Sequence, residues 1–518
     1  MNAETKLRSQ ISQGLSRAAQ VNPNGIATIC EDRARSWSQV LERVRKLAGA
    51  LQGMGLRAGD RVGILSMNSD RFFELYYAIW WAGGVATPMN MRLAPAEIDY
   101  RLHDSGARFL FIDSEHVPLF TQLGPVKDDL ERVVLMDGEQ DDMPTLEKLL
   151  ATAEPVDDAG RAGDDLALII YTGGSTGRAK GVMLSHDNLC ANAMSALQTI
   201  GYDETSVYLH AGPMSHLADG MSTFGLTLAA GTHVFLPRFT VDACLALIEK
   251  HRVTHVCLVP TMVEMIVAGA EKGQRDVTSL VQIQFGSSPM PEGTLRRAVA
   301  LWPDILFLHG YGMTELSPLI TMLPLRWRRP SVGGDRLKSC GKAVPNLEVR
   351  IVDPDGREPP AGTVGELICR GPTVMLGYWN MPEATAKAIR NGWMHTEDAA
   401  YMDAEGFVYI VDRLKDMIIS GGENIYSTEV ENVISRVPGV SQVAVIGIPH
   451  PLWGEAVHAV VSMAPGASPV SEAEIIAFCK AEIASYKCPK TVVVQRDLLP
   501  LTSAGKIDKK ALRAIHGA

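Results

Sequence analysis

The segment Tyr171-Thr-Gly-Gly-Ser-Thr-Gly-Arg-Ala-Lys-Gly181 follows an apolar run and packs glycines, small hydroxyls and a lysine into one turn. Glycines let a backbone approach a phosphate closely, and successive amide N–H groups form an anion-binding concavity. Gly173, Gly174 and Gly177 supply that freedom, while Thr172, Ser175 and Thr176 add hydroxyl donors and Lys180 a positive charge. The spacing does not fit the Walker A pattern GxxxxGK[ST]. The chemistry expected of such a loop is polyphosphate binding; the plainer alternative is a flexible surface loop.

Other candidate residues carry little information one at a time. Lys506 stands near the C-terminus among other lysines, where a solvated tail is the default. Glu315 and Asp398 alone read as surface carboxylates, and Arg413 with Lys415 as an ordinary exposed charge run. His216 alone reads more readily as a core histidine with its hydrogen bonds satisfied.

The elements that must position these residues can be read from hydropathy. Arg61–Leu65, Phe109–Ile112, Val133–Leu135 and Leu166–Tyr171 are continuous apolar runs, as buried parallel strands require, and Phe72–Ala82 and Ala243–His251 have helical spacing. A second wave repeats the alternation at His233–Leu236, His255–Val259, Val281–Phe285 and Leu306–Leu308. This pattern predicts an α/β protein with a large N-terminal domain of layered α/β subdomains. After Cys340 the pattern changes to strands at Glu348–Val352, Gly365–Cys369 and Val408–Val411, with turns at DPDG (353–356) and DAEG (403–406), predicting a small β-rich subdomain. The charged break Asp412-Arg-Leu-Lys-Asp416 precedes a stretch of about a hundred residues with its own α+β pattern, including a strand at Val443–Ile448 and a helix at Ser471–Ile483. The expected domains are 1–411, a hinge at 412–416 and a mobile α+β domain at 417–518.

Composition removes whole classes of function. At 518 residues, 46% hydrophobic and 21% charged, the chain is too long for one core and is neither disordered nor a repeat array. A formal charge of −10 disfavours nucleic acid as a partner. The eight cysteines show no CxxC pair or metal spacing and read as reduced, and the apolar stretch Tyr76–Ala86 is too short to span a bilayer. With a polar N-terminus, Met1–Gln20, these features predict a cytoplasmic protein.

Seven segments in order resemble the motifs of the adenylate-forming (AMP-binding) superfamily, in its acyl-CoA synthetase and coumarate–CoA ligase-like branch. They are the glycine loop, Pro213-Met-Ser-His216, Gly286-Ser-Ser-Pro-Met290, Tyr311-Gly-Met-Thr-Glu315, Gly392-Trp-Met-His-Thr-Glu-Asp398, Asp412-Arg-Leu-Lys-Asp416 with Gly421-Gly-Glu-Asn-Ile425, and Pro500-Leu-Thr-Ser-Ala-Gly-Lys506. The resemblance implies an ATP-dependent acid–thiol ligase. A carboxylate attacks the α-phosphate of ATP to give an acyl adenylate and pyrophosphate, and coenzyme A then takes the acyl group and releases AMP. Lys506 is implied as the mobile catalytic cation, Glu315 and Thr172 as holders of Mg²⁺, and Thr314 as a phosphate donor. Asp398 is implied to bind ribose with Arg413 behind it. Tyr311 would face adenine, with Gly286, Ser287, Ser288, His309, Gly310, Gly312, Met313 and Ile410 around the nucleotide. His216, Met221, Phe224, Val259, Met262, Gly310, Gly312 and Met313 would line the acyl pocket. Gly421, Gly422, Asn424 and Arg238 would meet coenzyme A after rotation about Lys415. Acetylation of Lys506 would remove the charge that this chemistry needs.

Three departures stand out. Gly173-Gly174 replaces the serine- or threonine-rich sequence of most relatives, and His309 stands where many have a polar amide. Gly312 stands where acetate-activating relatives carry tryptophan, which predicts an open pocket floor and an acid longer than propionate, medium- to long-chain or phenylpropanoid-like. The partners expected are the acid, ATP and coenzyme A; a homodimer is allowed for. Two alternatives accompany this reading: loading of a carrier-protein phosphopantetheine, and a non-catalytic acyl or nucleotide binder.

Overall fold

The computed structural model describes residues 8–140, 143–173, 178–271, 273, 275–288, 290–329, 331, 334–468, 470–502 and 506–517. Two large sheets form its body. In the seven-stranded sheet the strands run in the order Gly377–Tyr378, Lys180–Ser185, Leu166–Thr172, Val85–Pro88, Arg61–Leu65, Phe109–Ile112 and Arg132–Leu135. Its Val85-to-Arg132 portion is parallel, while Leu166–Thr172 and Lys180–Ser185 form an antiparallel pair joined by the glycine loop.

The nine-stranded sheet holds the second wave. Thr232–Phe235, Val207–His210, His255–Leu258, Gln282–Phe285 and Leu306–Gly312 are parallel neighbours, with antiparallel strands at both ends. The N-terminal strand Ile26–Cys30 also joins this sheet, pairing with Thr232–Phe235 across two hundred residues of chain. Strand Leu306–Gly312 runs past the predicted Leu308 end because Gly310 and Tyr311 pair with Met322 and Thr321.

Between the sheets lies the helix Asp70–Trp81, started by Ser69, whose hydroxyl accepts from the Phe72 amide. All its residues but Arg71 are buried, and the apolar stretch noted at Tyr76–Ala86 is the second half of this core helix with the turn into the buried strand Val85–Pro88. Phe72, Phe73, Tyr77 and Trp80 are fully enclosed, and Trp80 still donates its indole N–H to the Ala167 carbonyl at 2.8 Å. Its two carboxylates are answered by arginines: Arg33 and Arg35 bind Asp70, and Arg43 reaches Glu74 at 2.8 Å. Among the described residues no helix is long and apolar enough to cross a membrane.

The β-rich subdomain is a five-stranded sheet in which Trp393–Met402 is flanked by Gly365–Arg370 and Val408–Arg413. Its last strand leads into the charged break. Beyond it, a second five-stranded sheet built on Val440–His450 and Gly454–Met463 has its own core of Ile418, Ile425, Val445, Val457, Val461 and Ile475. Helix Glu472–Glu482 packs on this unit and is opened by a Ser471–Glu474 capping box.

Candidate active site

One part of the site is built where the middle of strand Trp393–Met402 lies beside the end of strand Val408–Arg413. Register places Asp398 opposite Arg413, and the Arg413 Nε lies 3.4 Å from the Asp398 carboxylate. The other Asp398 oxygen accepts from the Tyr311 hydroxyl at 2.5 Å. Burial pushes the Asp398 carboxyl up, and Arg413 opposes that rise. The pair therefore joins the end of strand Leu306–Gly312 to the β-rich subdomain.

Glu315 sits one turn further on, in the short helix Thr314–Leu316, and is 7% exposed. One of its carboxylate oxygens accepts from the Tyr378 hydroxyl at 2.9 Å, and its backbone carbonyl accepts from the Met375 amide. Burial raises its pKa while Tyr378 and the nearby Arg413 and Lys180 hold it down. Lys180 closes the other side, its ammonium 4.7 Å above the Tyr378 ring.

Lys506 enters this cluster from the C-terminal domain. Its loop is pinned by a mutual pair with Thr502: the Thr502 amide donates to the Lys506 carbonyl at 2.7 Å, and the Lys506 amide to the Thr502 hydroxyl. Burial lowers the Lys506 ammonium to about 8; Arg413 adds to the fall, and Asp398 and Glu315 oppose it. His216 is close enough to feel Lys506, and burial together with that charge, Arg101 and Arg92 lowers its imidazole to about 4. His216 is thus neutral at pH 7, with Nε2 2.8 Å from Asn90 Nδ2.

The glycine loop hangs from the helix Pro95–Ser105. The Tyr171 hydroxyl donates to Asp104 at 2.7 Å, and the Tyr100 hydroxyl donates to the Ala179 carbonyl at 3.1 Å, so both loop ends are held by one helix. Thr172 and Lys180 face each other in register as the last pair before the loop. Gly174, Ser175, Thr176 and Gly177 lie outside the described residues. On the adenine side, Gly286 packs so close that a Cβ would stand 2.5 Å from the Gly310 carbonyl, and Ser287 takes a left-handed φ of 68°. His309 stacks on Phe285 with ring centres 4.9 Å apart and lies 2.9 Å from the Ser339 carbonyl. Burial lowers it to about 4, so it is an uncharged, fixed wall.

The expected pocket residues are not all brought together. Met221 and Phe224 lie in the central core with Met313 packed against it, whereas Met262 packs in the separate core on the other side of the nine-stranded sheet. Val259 only opens the helix Pro260–Ala270. Gly312 is not an open floor: a Cβ there would stand 2.0 Å from the Pro318 carbonyl, so glycine is demanded by the tight Met313–Pro318 turn. Ile410 pairs with Ala400 beside Asp398. Arg238 lies exposed in an ion pair with Glu115, and Gly421 and Gly422 form a turn at φ 61° and 87° beyond the charged break, with Asn424 on the strand after it. Sequence reasoning missed Tyr378, Tyr100, Asp104 and Thr502. Tyr378, Tyr100 and Asp104 act through partners 63 to 79 positions away, whereas Thr502 lies inside the Pro500–Lys506 motif and pairs with Lys506 four residues on.

Comparison with known proteins gives the family and the fold. The family model for AMP-binding enzymes matches residues 15–379, and the model for the AMP-binding enzyme C-terminal domain matches residues 429–506. The chain belongs to the AMP-binding enzyme family. It is 38% identical to a feruloyl-CoA synthase of Amycolatopsis sp over 504 residues, covering 97% of this chain and 98% of the relative. It is 34% identical to the fatty acid–[acyl-carrier-protein] ligase ScoC of Streptomyces coeruleorubidus, covering 96% and 94%. Among solved structures, ATP-bound MatB from Rhodopseudomonas palustris superposes with a TM-score of 0.88 at 31% identity, covering 99% of both chains. The anthranilate CoA ligase AuaEII in complex with anthranoyl-AMP gives 0.91 at 25%, again covering 99% of both.

Proposed function

We propose that this protein is an ATP-dependent acid–CoA ligase that works through an acyl adenylate, and that its acid is an aryl or fatty acid. The observation that carries the reading is the convergence of Lys506, Asp398 and Glu315, from three distant segments, beside the anchored ends of the glycine loop. In the first step an oxygen of the acid attacks the α-phosphorus and pyrophosphate leaves. Charge that grows on the phosphoryl oxygens is best stabilised by cations and donors already in place. Lys506 is the cation that can reach both reactants, because its charge lies among the carboxylates and next to His216. Asp398, oriented by Tyr311 and Arg413, offers a carboxylate to ribose hydroxyls.

The donor set fits Mg²⁺. Glu315, a buried carboxylate, and the Thr172 hydroxyl would hold it, since Mg²⁺ is a hard ion that takes oxygen ligands and needs few from the protein. Bound there, the ion would neutralise charge on the phosphates.

In the second step a thiol attacks the acyl carbon and AMP leaves. We assign the boundaries 1–411, 412–416 and 417–518 and place the hinge at Lys415, so that rotation of the C-terminal domain withdraws Lys506 and brings Gly421, Gly422 and Asn424 to the adenylate. The ScoC relative supports a second reading in which a carrier-protein phosphopantetheine is the thiol. All eight cysteines are free, in keeping with a reducing cytoplasmic setting.

The test is product analysis with ATP, Mg²⁺ and a panel of acids from octanoate to cinnamates, with and without coenzyme A. AMP and an acyl-CoA thioester are expected, with pyrophosphate release accelerated by coenzyme A. Acid-dependent release that ignores coenzyme A selects the carrier-protein reading, and no release with any acid refutes both.

A further inference from the structure

Two arginines stand at the ends of the glycine loop, each over an aromatic ring. The Arg101 guanidinium lies 5.9 Å from the centre of the Tyr171 ring, where the loop begins, and the Arg178 guanidinium 5.7 Å from that of Tyr100, where it ends. Arginines elsewhere are answered by carboxylates, Arg43 by Glu74 and Glu147, and Arg108 by Glu131. Among the described residues, neither Arg101 nor Arg178 has an ion pair or donates a side-chain hydrogen bond. Arg101 is only 7% exposed, and its buried Nε has no partner. A guanidinium keeps its charge when buried, and a buried charge without a partner is costly. Such a group calls for an anion.

The carboxylates nearest in sequence are turned elsewhere. Glu97, one helical turn before Arg101, accepts from the Ala94 amide at 3.0 Å, and Asp104, three residues after it, accepts from the Tyr171 hydroxyl. The missing anion is therefore a ligand. Helix Pro95–Ser105 carries Arg101 beside Tyr100, which holds the far end of the same loop through the Ala179 carbonyl. The charge of Arg101 also bears on His216, as does that of Lys506, so it stands on the side of the loop that faces the reacting groups. A single carboxylate would engage one arginine. A ligand that draws on both ends of the loop has to be long and multiply charged, and the planar guanidinium fork suits phosphate oxygens. With a formal charge of −10 on the whole chain, such an anion depends on cations gathered locally.

We propose that Arg101 and Arg178 are pyrophosphate-binding residues that hold the β- and γ-phosphates of ATP and the pyrophosphate released from it. The proposal rests on the ligase reading above. Arg101 is the enclosed anchor, and Arg178, which is exposed, meets the anion as it enters and leaves.

Calorimetric titration of the full-length protein with magnesium pyrophosphate tests it, paired with the KM for octanoate in the ligase assay. Arg101→Gln should weaken pyrophosphate binding by about tenfold or more, and Arg101→Lys should restore part of the loss. Arg178→Gln should weaken it by about threefold, with the loss shrinking as salt is added. The KM for octanoate should stay within about twofold in each variant. Affinity for pyrophosphate within twofold of wild type in both Gln variants overturns the proposal, and so does a wild type that binds no pyrophosphate. Arg101→Gln that raises the KM for octanoate and spares pyrophosphate binding assigns Arg101 to the acid and also overturns it. Because Arg178 is exposed, its variant decides the matter even where Arg101→Gln does not fold. The expected losses in a protein that makes no adenylate from any acid would support the two arginines and count against the ligase reading alone.

Discussion

Lys506 is the residue on which we propose the first half-reaction turns, and its surroundings set a pH dependence. Burial and Arg413 lower its ammonium to about 8, and the protonated form is the one that stabilises phosphoryl charge. Adenylation should therefore be level below pH 8 and fall as pH rises through it in kcat/KM, which reports the free enzyme. Bound ATP adds negative charge and should move the same limb of kcat to higher pH. His216, at about 4, is already neutral and should add no limb between pH 5 and 8. Lys506→Ala should cost about 10³-fold in adenylation, ~4 kcal/mol, with ATP binding retained by equilibrium titration. Lys506→Arg, a cation at all accessible pH, should lose the alkaline limb even if it is slow. A limb that persists in Lys506→Arg would assign the titration to another group. The lysine itself was legible only through its motif, because nothing in the composition of residues 500–518 separates it from Lys509 or Lys510. Tyr378 was not legible, since its hydroxyl serves Glu315 from 63 positions away.

At the scale of the element, two features make separate predictions. Helix Pro95–Ser105 grips both ends of the glycine loop, so Tyr100→Phe and Asp104→Asn should each raise KM for ATP several-fold while the melting temperature moves little. An unchanged KM in both would show that the loop keeps its shape without the helix. The turn after strand Leu306–Gly312 makes the opposite prediction. Gly312→Ala meets the Pro318 carbonyl, so it should cost about 1–3 kcal/mol of stability, read as a lower denaturant midpoint. The continuous apolar strands were visible in sequence because burial on both faces leaves unbroken runs. Gly310 and Gly312 concealed the end of their strand, because glycine carries no strand signal even where close backbone packing requires it. The joining of Ile26–Cys30 to the later sheet was also hidden, since hydropathy reports burial and not partners.

At the scale of the molecule, the C-terminal domain is fastened to both sides of the charged break. Asp412 accepts from the Ser427 amide and hydroxyl, each at 2.6 Å, and Lys509, which donates to that hydroxyl, also pairs with Glu431 at 2.7 Å. Arg513 binds Asp416 at 2.8 Å. The helix that follows Lys506 is tied through Arg513 to Asp416, on its own side of the proposed pivot at Lys415, and would move with it, whereas the Asp412–Ser427 bonds cross Lys415 and would have to break. Lys415→Pro should accordingly leave adenylation within a few-fold and slow thioester formation by at least about tenfold, measured in single turnovers of preformed adenylate. Equal losses in both steps would place the pivot elsewhere. A large N-terminal and a smaller C-terminal domain were legible from the change of pattern along the chain, whereas the ion pairs about 412–416 join residues up to 97 positions apart. The central claim, that the buried Lys506–Asp398–Glu315 cluster makes an acyl adenylate, is tested most directly by acid-dependent exchange of labelled pyrophosphate into ATP without coenzyme A. The account predicts exchange that requires both Mg²⁺ and an accepted acid and is nearly abolished in Lys506→Ala; exchange that is undiminished in that variant would contradict it.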